Sequence, residues 1–571
     1  MRTAPSVEEI AVEQIKSPSE VTYLAYPYRV VMAALSGFIL TLSYPKFNLS
    51  YLAWVALVPF FIAIRGVSLR KAFLLGFIMG NAFFVSLVYW VQIFFIAALP
   101  FAAFVSSTYI GLLTVLINRT TTRLPKWELL IVPALWISVE YYRTLGFLRF
   151  PFGVLGYSQH PVLPIIQIAS FTGVFGVSFL IALTNVSTAK VISEWPQKGP
   201  RALSKLAPAA FLVALSAAYG FSVIPGEIKD RPIKVALVQP YFDSWQGIKQ
   251  GYGYKRQEKL DTLFALSEYA MSGEEVSQDG DEYRDLRSAS RGQGIGEVPD
   301  FIFWPESTIA EFIFTQDRNT GGHKLIPNRD TTFRIEELLN GKEAYLLTGS
   351  YMAIRNERRI RYFNSAYLLS PEAEVIDTYS KIGLVPFGEL LPFQDNPLVQ
   401  WFARVTNHGN SAGGFTPGDR YTVFETSKAK FSVIICYEGA LGSTVRRFVD
   451  RGAQFIANIS NDSWSYNRSA YYQHFTTNVF RAVENRVYFV RAGNDGITAI
   501  IDPYGRVERL LDVFKRGTLT GRIGLRQEKT FYTEYGDVFV YLCIFISVFA
   551  ILFSTLQDRR YLWIRKQVGT G

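Results

Sequence analysis

The chain has 571 residues, 49% of them hydrophobic and only 19% charged, with a formal net charge of +10. That is too apolar for an ordinary soluble enzyme. Two cysteines and four histidines leave no disulfide framework and no metal-ligand cluster legible in the spacing.

In chain order, residues 1–27 read as a polar tail with several glutamates, unlike the basic start of a cleaved signal peptide. A membrane domain is predicted over 28–226, with seven apolar spans near 30–42, 51–64, 72–96, 101–117, 129–142, 165–186 and 207–224. An eighth is predicted within 538–557, and 558–571 forms a basic tail. Several runs fall short of the roughly 20 residues that a spanning helix needs, so their ends are expected to be ragged. Alternate loops hold the cations: Arg65, Arg70 and Lys71, then Arg119, Arg123 and Lys126, then Lys190, Lys198, Arg201 and Lys205. The opposite loops hold only Lys46, Arg143 and Arg149. Positive-inside asymmetry therefore places both termini in the cytoplasm and the segment between spans seven and eight outside. The basic balance follows from that asymmetry and from attraction to anionic head groups, so it implies no nucleic acid.

The outward segment, 230–535, reads as an α/β domain. Strand-like runs recur at "IKVALVQP", "FIFWPE", "AYLLTGSYM", "FNSAYLLS", "FSVIIC", "FIANIS", "VYFVRAG" and "TAIIDPYG", with helix-like segments at 254–267 and 471–485 between some of them. Apolar positions this continuous suit strands covered on both faces. The stretch 271–297 is charged and rich in Gly and Ser, and is expected to be a mobile surface insertion.

Three strand ends carry chemistry. "FWPEST" places Glu306 after an apolar run and a proline; "TYSKIGLVPFGELLPF" places Lys381 and Glu389 on either side of another; "IICYEG" ends a third on Cys436. Strand ends gather at one edge of an α/β sheet, where sites form. A carboxylate can take a thiol proton, and an ammonium favours thiolate and steadies an oxyanion. Read singly, Cys436 is equally a small buried hydrophobe, Glu306 and Glu389 turn residues, and Lys381 a solvated charge.

The order "WPE", "YSKIGLVPFGE", "ICYE", "NISNDSW" resembles the nitrilase superfamily. With the membrane pattern, and with "FNLSYLAWVALVPFFIAI" and "RFPFGVLGYSQ" in it, the chain resembles the apolipoprotein N-acyltransferase family over nearly its whole length. The resemblance implies a multi-pass helical domain plus a nitrilase-like αββα sandwich in a bacterial inner membrane, with the sandwich facing the periplasm. It implies a Glu306, Lys381, Cys436 triad as base, intermediate stabiliser and nucleophile, with Glu389, Tyr437 and Glu438 in support. Asn461, Trp464, Asn494 and Trp245 are further site candidates, and Phe147, Phe150 and Phe152 candidates for guiding acyl chains. The implied reaction moves an acyl chain from a phospholipid, phosphatidylethanolamine by analogy, through a thioester to the α-amine of a diacylglyceryl-cysteine on an apolipoprotein. No cofactor or metal and a monomeric enzyme are implied. "NDSWSYN", "GNDG" and the long insertion depart from the family pattern. Three other readings stay open: a membrane-tethered amidase using the same triad, a Cys–His hydrolase with His474 as base, and an inactive lipid-binding scaffold.

Overall fold

A computed structural model describes residues 24–93, 97–146, 149–242, 256–279, 286, 289–316, 323–325, 329–355, 360–390, 396–397, 399–400, 414–526 and 528–568. Trp245 and Phe147 lie outside the described residues.

Four helical stretches are long and apolar enough to cross a bilayer: Leu69–Leu87, Ala98–Arg123, Val174–Val223 and Val538–Gln557. The third turns through a 3-10 segment at Gly199–Leu206, with Gly199 in the left-handed region at φ 49°. The other predicted spans are shorter: Tyr26–Thr41 and Glu128–Arg143 are 16-residue helices, and 51–64 is divided into Ala53–Ala56 and Val58–Ala63. The span predicted at 165–186 needs correction. It is two short turns, Leu163–Ile166 and Ala169–Thr172, before a helix that starts at Val174. Gly173, at φ 63°, makes the break, and the new N-terminus is capped from the other domain, where Glu484 Oε1 accepts the Val174 N–H at 3.0 Å.

The second domain contains sixteen strands among the described residues. They are β1 (Ile233–Gln239), β2 (Glu275–Asp279), β3 (Ser290–Gly292), β4 (Phe301–Phe303), β5 (Ile309–Gln316), β6 (His323–Leu325), β7 (Tyr345–Arg355) and β8 (Ile360–Leu369). There follow β9 (Val375–Ser380), β10 (Phe424–Glu425), β11 (Lys430–Ile435), β12 (Phe455–Ser460), β13 (Tyr488–Gly493), β14 (Thr498–Ile501), β15 (Val507–Leu511) and β16 (Lys515–Ile523). Ten form one sheet, in the order β3-β2-β16-β1-β4-β7-β5-β6 with β8 on β7 and β9 on β8; six form the other, β10-β11-β12-β13-β14-β15. Pairs β1–β4, β4–β7, β11–β12 and β12–β13 are parallel.

The sheets meet face to face through phenylalanine rings. Phe301 of β4 lies edge-on to Phe431 of β11 at 5.1 Å, and Phe431 stacks on Phe455 of β12 at 4.8 Å. Such pairs contribute about 0.5–1.5 kcal/mol each beyond the area they bury. Alternation along β1 serves both faces: Val235 and Leu237 point to the inter-sheet core, Ala236 and Val238 to the outer core. There Arg256–Met271 covers the sheet, and Trp304 is anchored by donating to Ser267 Oγ at 2.9 Å.

Part of the insertion is a sheet edge rather than a free loop. β2 and β3 extend the large sheet from β16, because Glu275 Oε1 accepts the Thr520 N–H at 2.8 Å and its other oxygen pairs with Arg509.

Helix Arg468–Asn485 is buried along 469–485 except for the half-buried Tyr472, since it touches the membrane domain as well as its own sheet. Gln473 Nε2 donates to the Leu87 carbonyl at 2.9 Å, and Arg481 Nη2 to Tyr157 Oη at 3.3 Å. The two domains therefore share one core.

Candidate active site

Glu306 follows β4, Lys381 follows β9, Cys436 follows β11 and Asn461 follows β12, so four polar groups leave the same edge of the sandwich. All three members of the expected triad are buried, with Glu306 7%, Lys381 1% and Cys436 6% exposed. The Lys381 ammonium lies 3.5 Å from Glu306 Oε1 and 2.9 Å from Glu389. Glu389 Oε2 also accepts the Val385 N–H at 2.9 Å, which folds "VPFGE" back over Lys381.

A residue that sequence reasoning missed joins the two carboxylates. Asn364, in β8, donates Nδ2 to Glu306 Oε1 at 2.7 Å and to Glu389 Oε1 at 2.9 Å. Its own carbonyl accepts the Lys381 N–H at 2.8 Å. The only hint in "YFNSAYLLS" was one amide in an apolar strand, which carries no direction until the strands are paired.

Asn461 enters through its backbone, whose N–H donates to Glu306 Oε2 at 2.9 Å. Both Glu306 oxygens are thus held, and its angle toward the thiol is set by β8 and β12. Asn494 stands behind, donating Nδ2 to Asn461 Oδ1 at 3.2 Å and to the Phe242 carbonyl at 2.7 Å. Trp464 meets the membrane domain instead, 5.5 Å from the Trp90 ring, which in turn contacts Phe152 at 5.3 Å. Phe150 lies 5.3 Å from Phe152.

Glu438 is fully buried and works as scaffold. Its Oε1 accepts from Tyr379 Oη (2.6 Å), Ile382 N (2.9 Å) and Gly383 N (2.8 Å), and its Oε2 from Ile435 N (2.8 Å). One carboxylate thereby ties the loop after Lys381 to the strand before Cys436. Burial pushes it above the usual carboxylate range, and its donors pull it partly back. Tyr437 donates its hydroxyl to the Arg149 carbonyl at 2.8 Å, attaching the residue after Cys436 to the membrane-domain loop.

Charge around the thiol is asymmetric. Burial raises the Cys436 thiol first, the Glu306 carboxylate raises it further, and Lys381 opposes both; the net is well above the ordinary thiol range. Burial alone would depress the Lys381 ammonium, but Glu389 and Glu306 more than offset it, so it stays cationic. The resting pair is thiol and ammonium, and the thiol needs a base to react. Cys436 sits at φ 50° as the chain turns from β11 into a 3-10 helix, a conformation that costs a non-glycine residue about 1–3 kcal/mol.

Contrary to the reading from spacing, one trio among the described residues is close enough to hold a metal: Cys436, Asp462 and His474 offer ligand atoms within 4.8 Å of one another. Residues 436, 462 and 474 come from three elements, so only the fold brings them together. His474 and Asp462 are engaged with each other, with the Cys436 backbone carbonyl and with Arg491, whose Nη2 donates to Asp462 Oδ2 at 2.5 Å. The guanidinium already supplies a cation there. His474 bonds the Cys436 carbonyl through Nε2 and Asp462 through Nδ1, which leaves neither nitrogen directed to the thiol as a base.

The Glu306 turn also requires a close backbone approach. A Cβ on Gly349 would lie 2.7 Å from Glu306 Cα and from the Pro305 carbonyl. Gly349→Ala is therefore expected to displace Glu306 and lower turnover at the site at least about tenfold while the protein still folds, measured as activity against melting temperature.

Two sheets packed face to face, with helices outside and polar strand ends at one edge, define a carbon-nitrogen hydrolase-type domain, here joined to an apolar helical one. Residues 293–530 match the family model for carbon-nitrogen hydrolases, and 36–187 match that for the N-terminal domain of apolipoprotein N-acyltransferase. An apolipoprotein N-acyltransferase of Geobacter metallireducens is 34% identical over 528 residues, 90% of this chain and 93% of the relative. One from Treponema pallidum, apolipoprotein N-acyltransferase 1, is 31% identical over 90% of this chain and 93% of its own. An amidase from Nesterenkonia aligns structurally over 56% of this chain and 98% of its own, at 16% identity and a TM-score of 0.32. The chain belongs to the apolipoprotein N-acyltransferase family.

Proposed function

We infer that this protein transfers a fatty acyl chain from a membrane phospholipid to the α-amino group of the N-terminal diacylglyceryl-cysteine of apolipoproteins. The observation that carries the reading is the convergence of Glu306, Lys381 and Cys436 in one buried site whose next residue, Tyr437, is bonded to the membrane-domain loop at Arg149. Two lipid substrates and a thiol beside the bilayer fit together.

Glu306 takes the Cys436 proton, and the thiolate attacks an ester carbonyl of the donor. Lys381 balances the oxyanion. Collapse breaks the ester C–O bond; the leaving alkoxide takes the proton from Glu306 and departs as a lysophospholipid, leaving a thioester. The acceptor amine then attacks the thioester carbonyl, passes a proton to Glu306, and displaces the thiolate, which is reprotonated. Glu389 and Asn364 hold Lys381 and Glu306 in register through both halves. Phosphatidylethanolamine is the proposed donor, and the enzyme is proposed to act as a monomer without cofactor. The proposed topology is eight spans with both termini cytoplasmic, over 28–226 and 538–557, and a periplasmic catalytic domain over 230–535. The aromatic contacts of Trp90, Phe152 and Trp464 support an apolar approach to the site from the membrane side.

Purified protein incubated with a clickable phospholipid should acquire a hydroxylamine-labile label, absent in Cys436→Ala. Adding a diacylated lipopeptide should move the label to its N-terminus. Release only as free fatty acid would favour a membrane-tethered hydrolase, and a label that survives Cys436→Ala would remove the thioester.

A further inference from the structure

The loop that follows Cys436 lies on helix Arg468–Asn485, along a face that the acyl-transfer steps do not use. Asn478 and Arg481 are three apart in that helix and so share a face. It meets Gly439 and Gly442, also three apart in the turn after Cys436. A Cβ on Gly439 would strike Asn478 Oδ1, and one on Gly442 would strike Arg481 Nη1. The two glycines thus let the loop rest directly on these side chains. Asn478 is held in turn, donating Nδ2 to Asn458 Oδ1 at 3.0 Å.

The other side of the same guanidinium faces the membrane domain. Arg481, 1% exposed, donates Nη2 to Tyr157 Oη at 3.3 Å and to Glu484 Oε1 at 2.8 Å. That Glu484 oxygen is also the acceptor that caps the helix starting at Val174. Tyr157 is buried, with its ring edge-on to Phe480 at 5.3 Å. A guanidinium holds its donors in a rigid fork, so a displacement of one partner is passed to the others, where a flexible ammonium would absorb it.

We propose that Arg481 is a positioning residue, the joint through which the membrane domain, at Tyr157 and Val174, fixes the loop that carries Cys436. The consequence is one of distance. The membrane domain places the ester carbonyl of a bilayer-held phospholipid, the catalytic domain places the thiol, and attack needs the two atoms within about 3–3.5 Å. Glu306 and Lys381 set the reactivity of the thiol; Arg481 sets where it stands relative to the lipid.

This rests on Cys436 as nucleophile, and its test is a double-mutant cycle across the two domains of the full-length protein. Tyr157→Phe removes one hydroxyl on the membrane side and keeps the ring; Gly442→Ala presses on the guanidinium from the catalytic side. With clickable phosphatidylethanolamine in vesicles, thioester formation should slow about three- to tenfold in the first, the scale of one hydrogen bond. It should slow at least about tenfold in the second, the scale of a misplaced reacting atom. The double variant should stay within about twofold of Gly442→Ala, because both changes reach Cys436 through one side chain. Losses that multiply would mean that the two act separately, and would overturn the proposal. Hydrogen exchange gives a readout that needs neither lipid nor the alanine variant. The amides of Leu441, Thr444 and Val445 are bonded within the loop and the turn it enters. In Tyr157→Phe they should exchange at least about threefold faster, while those of Arg256–Met271 keep wild-type rates. Unchanged rates at 441–445, or an equal rise throughout the catalytic domain, would leave Arg481 as packing only. Wild-type protein that never takes up acyl label, beside a Tyr157→Phe variant whose loop amides respond, would sink the acyl-transfer reading and leave this joint standing.

Discussion

Glu306→Gln should separate two reactivities of one thiol. Thioester formation from phospholipid should fall by about 10²–10⁴, the usual scale for losing a positioned base. Alkylation by iodoacetamide at pH 8 should instead become faster. The Glu306 carboxylate raises the Cys436 thiol, so a neutral amide in its place leaves more thiolate at a fixed pH, with Lys381 still cationic against Glu389. Lys381→Met should move alkylation the other way, since it removes the charge that lowers the thiol. Parallel loss of both activities in Glu306→Gln would mean that Glu306 holds the site in shape and does not serve as base. Glutamine keeps one acceptor oxygen for either Asn364 Nδ2 or the Asn461 N–H and turns its NH2 toward the other donor, so an unchanged thermal midpoint beside the split would mark it as chemical rather than structural.

The second large effect belongs to Glu438. Its two oxygens accept four hydrogen bonds from buried donors. Glutamine has one acceptor oxygen, so its NH2 must face either the Ile435 N–H or the cluster of Tyr379, Ile382 and Gly383. An unmet buried donor costs about 1–3 kcal/mol, and alanine takes the acceptor from all four, leaving only the Ile382 N–H a second partner in Tyr379 Oη at 3.3 Å. Glu438→Ala should therefore destabilise the catalytic domain more than Glu438→Gln, read as a fall in the thermal midpoint of its unfolding. Both should slow thioester formation by at least about tenfold, because Ile382 and Gly383 directly follow Lys381. A Gln variant with wild-type melting and turnover would show that the Lys381 loop does not depend on this carboxylate.

Much of the architecture was legible because its signals are local. An apolar run that stops at a polar residue marks a strand end, and three such ends are Glu306, Lys381 and Cys436. The eight strand-like runs that were quoted are all strands, the helix-like segment 471–485 falls within Arg468–Asn485, and 254–267 matches Arg256–Met271 from residue 256 on, with 254 and 255 outside the described residues. Helix ends in the membrane domain were less legible. Hydropathy measures apolar content, whereas the break before Val174 is made by one left-handed glycine and a carboxylate 310 residues further along. The insertion misled for a related reason. Its polarity suggested a solvated loop, but an edge strand needs only backbone partners and a few charged contacts such as Glu275 with Arg509.

By itself, then, the sequence determined the family, the two-domain plan and the identity of the three groups at the strand ends. Those depend on residue type and order, which a chain carries before it folds. Which groups hold them was decided by the tertiary structure alone. Asn364 bridges Glu306 and Glu389, Glu438 ties two loops, and His474 reaches the Cys436 carbonyl across 38 residues. Hydrogen bonds act over about 3 Å, and only sheet pairing and helix packing bring such distant residues that close.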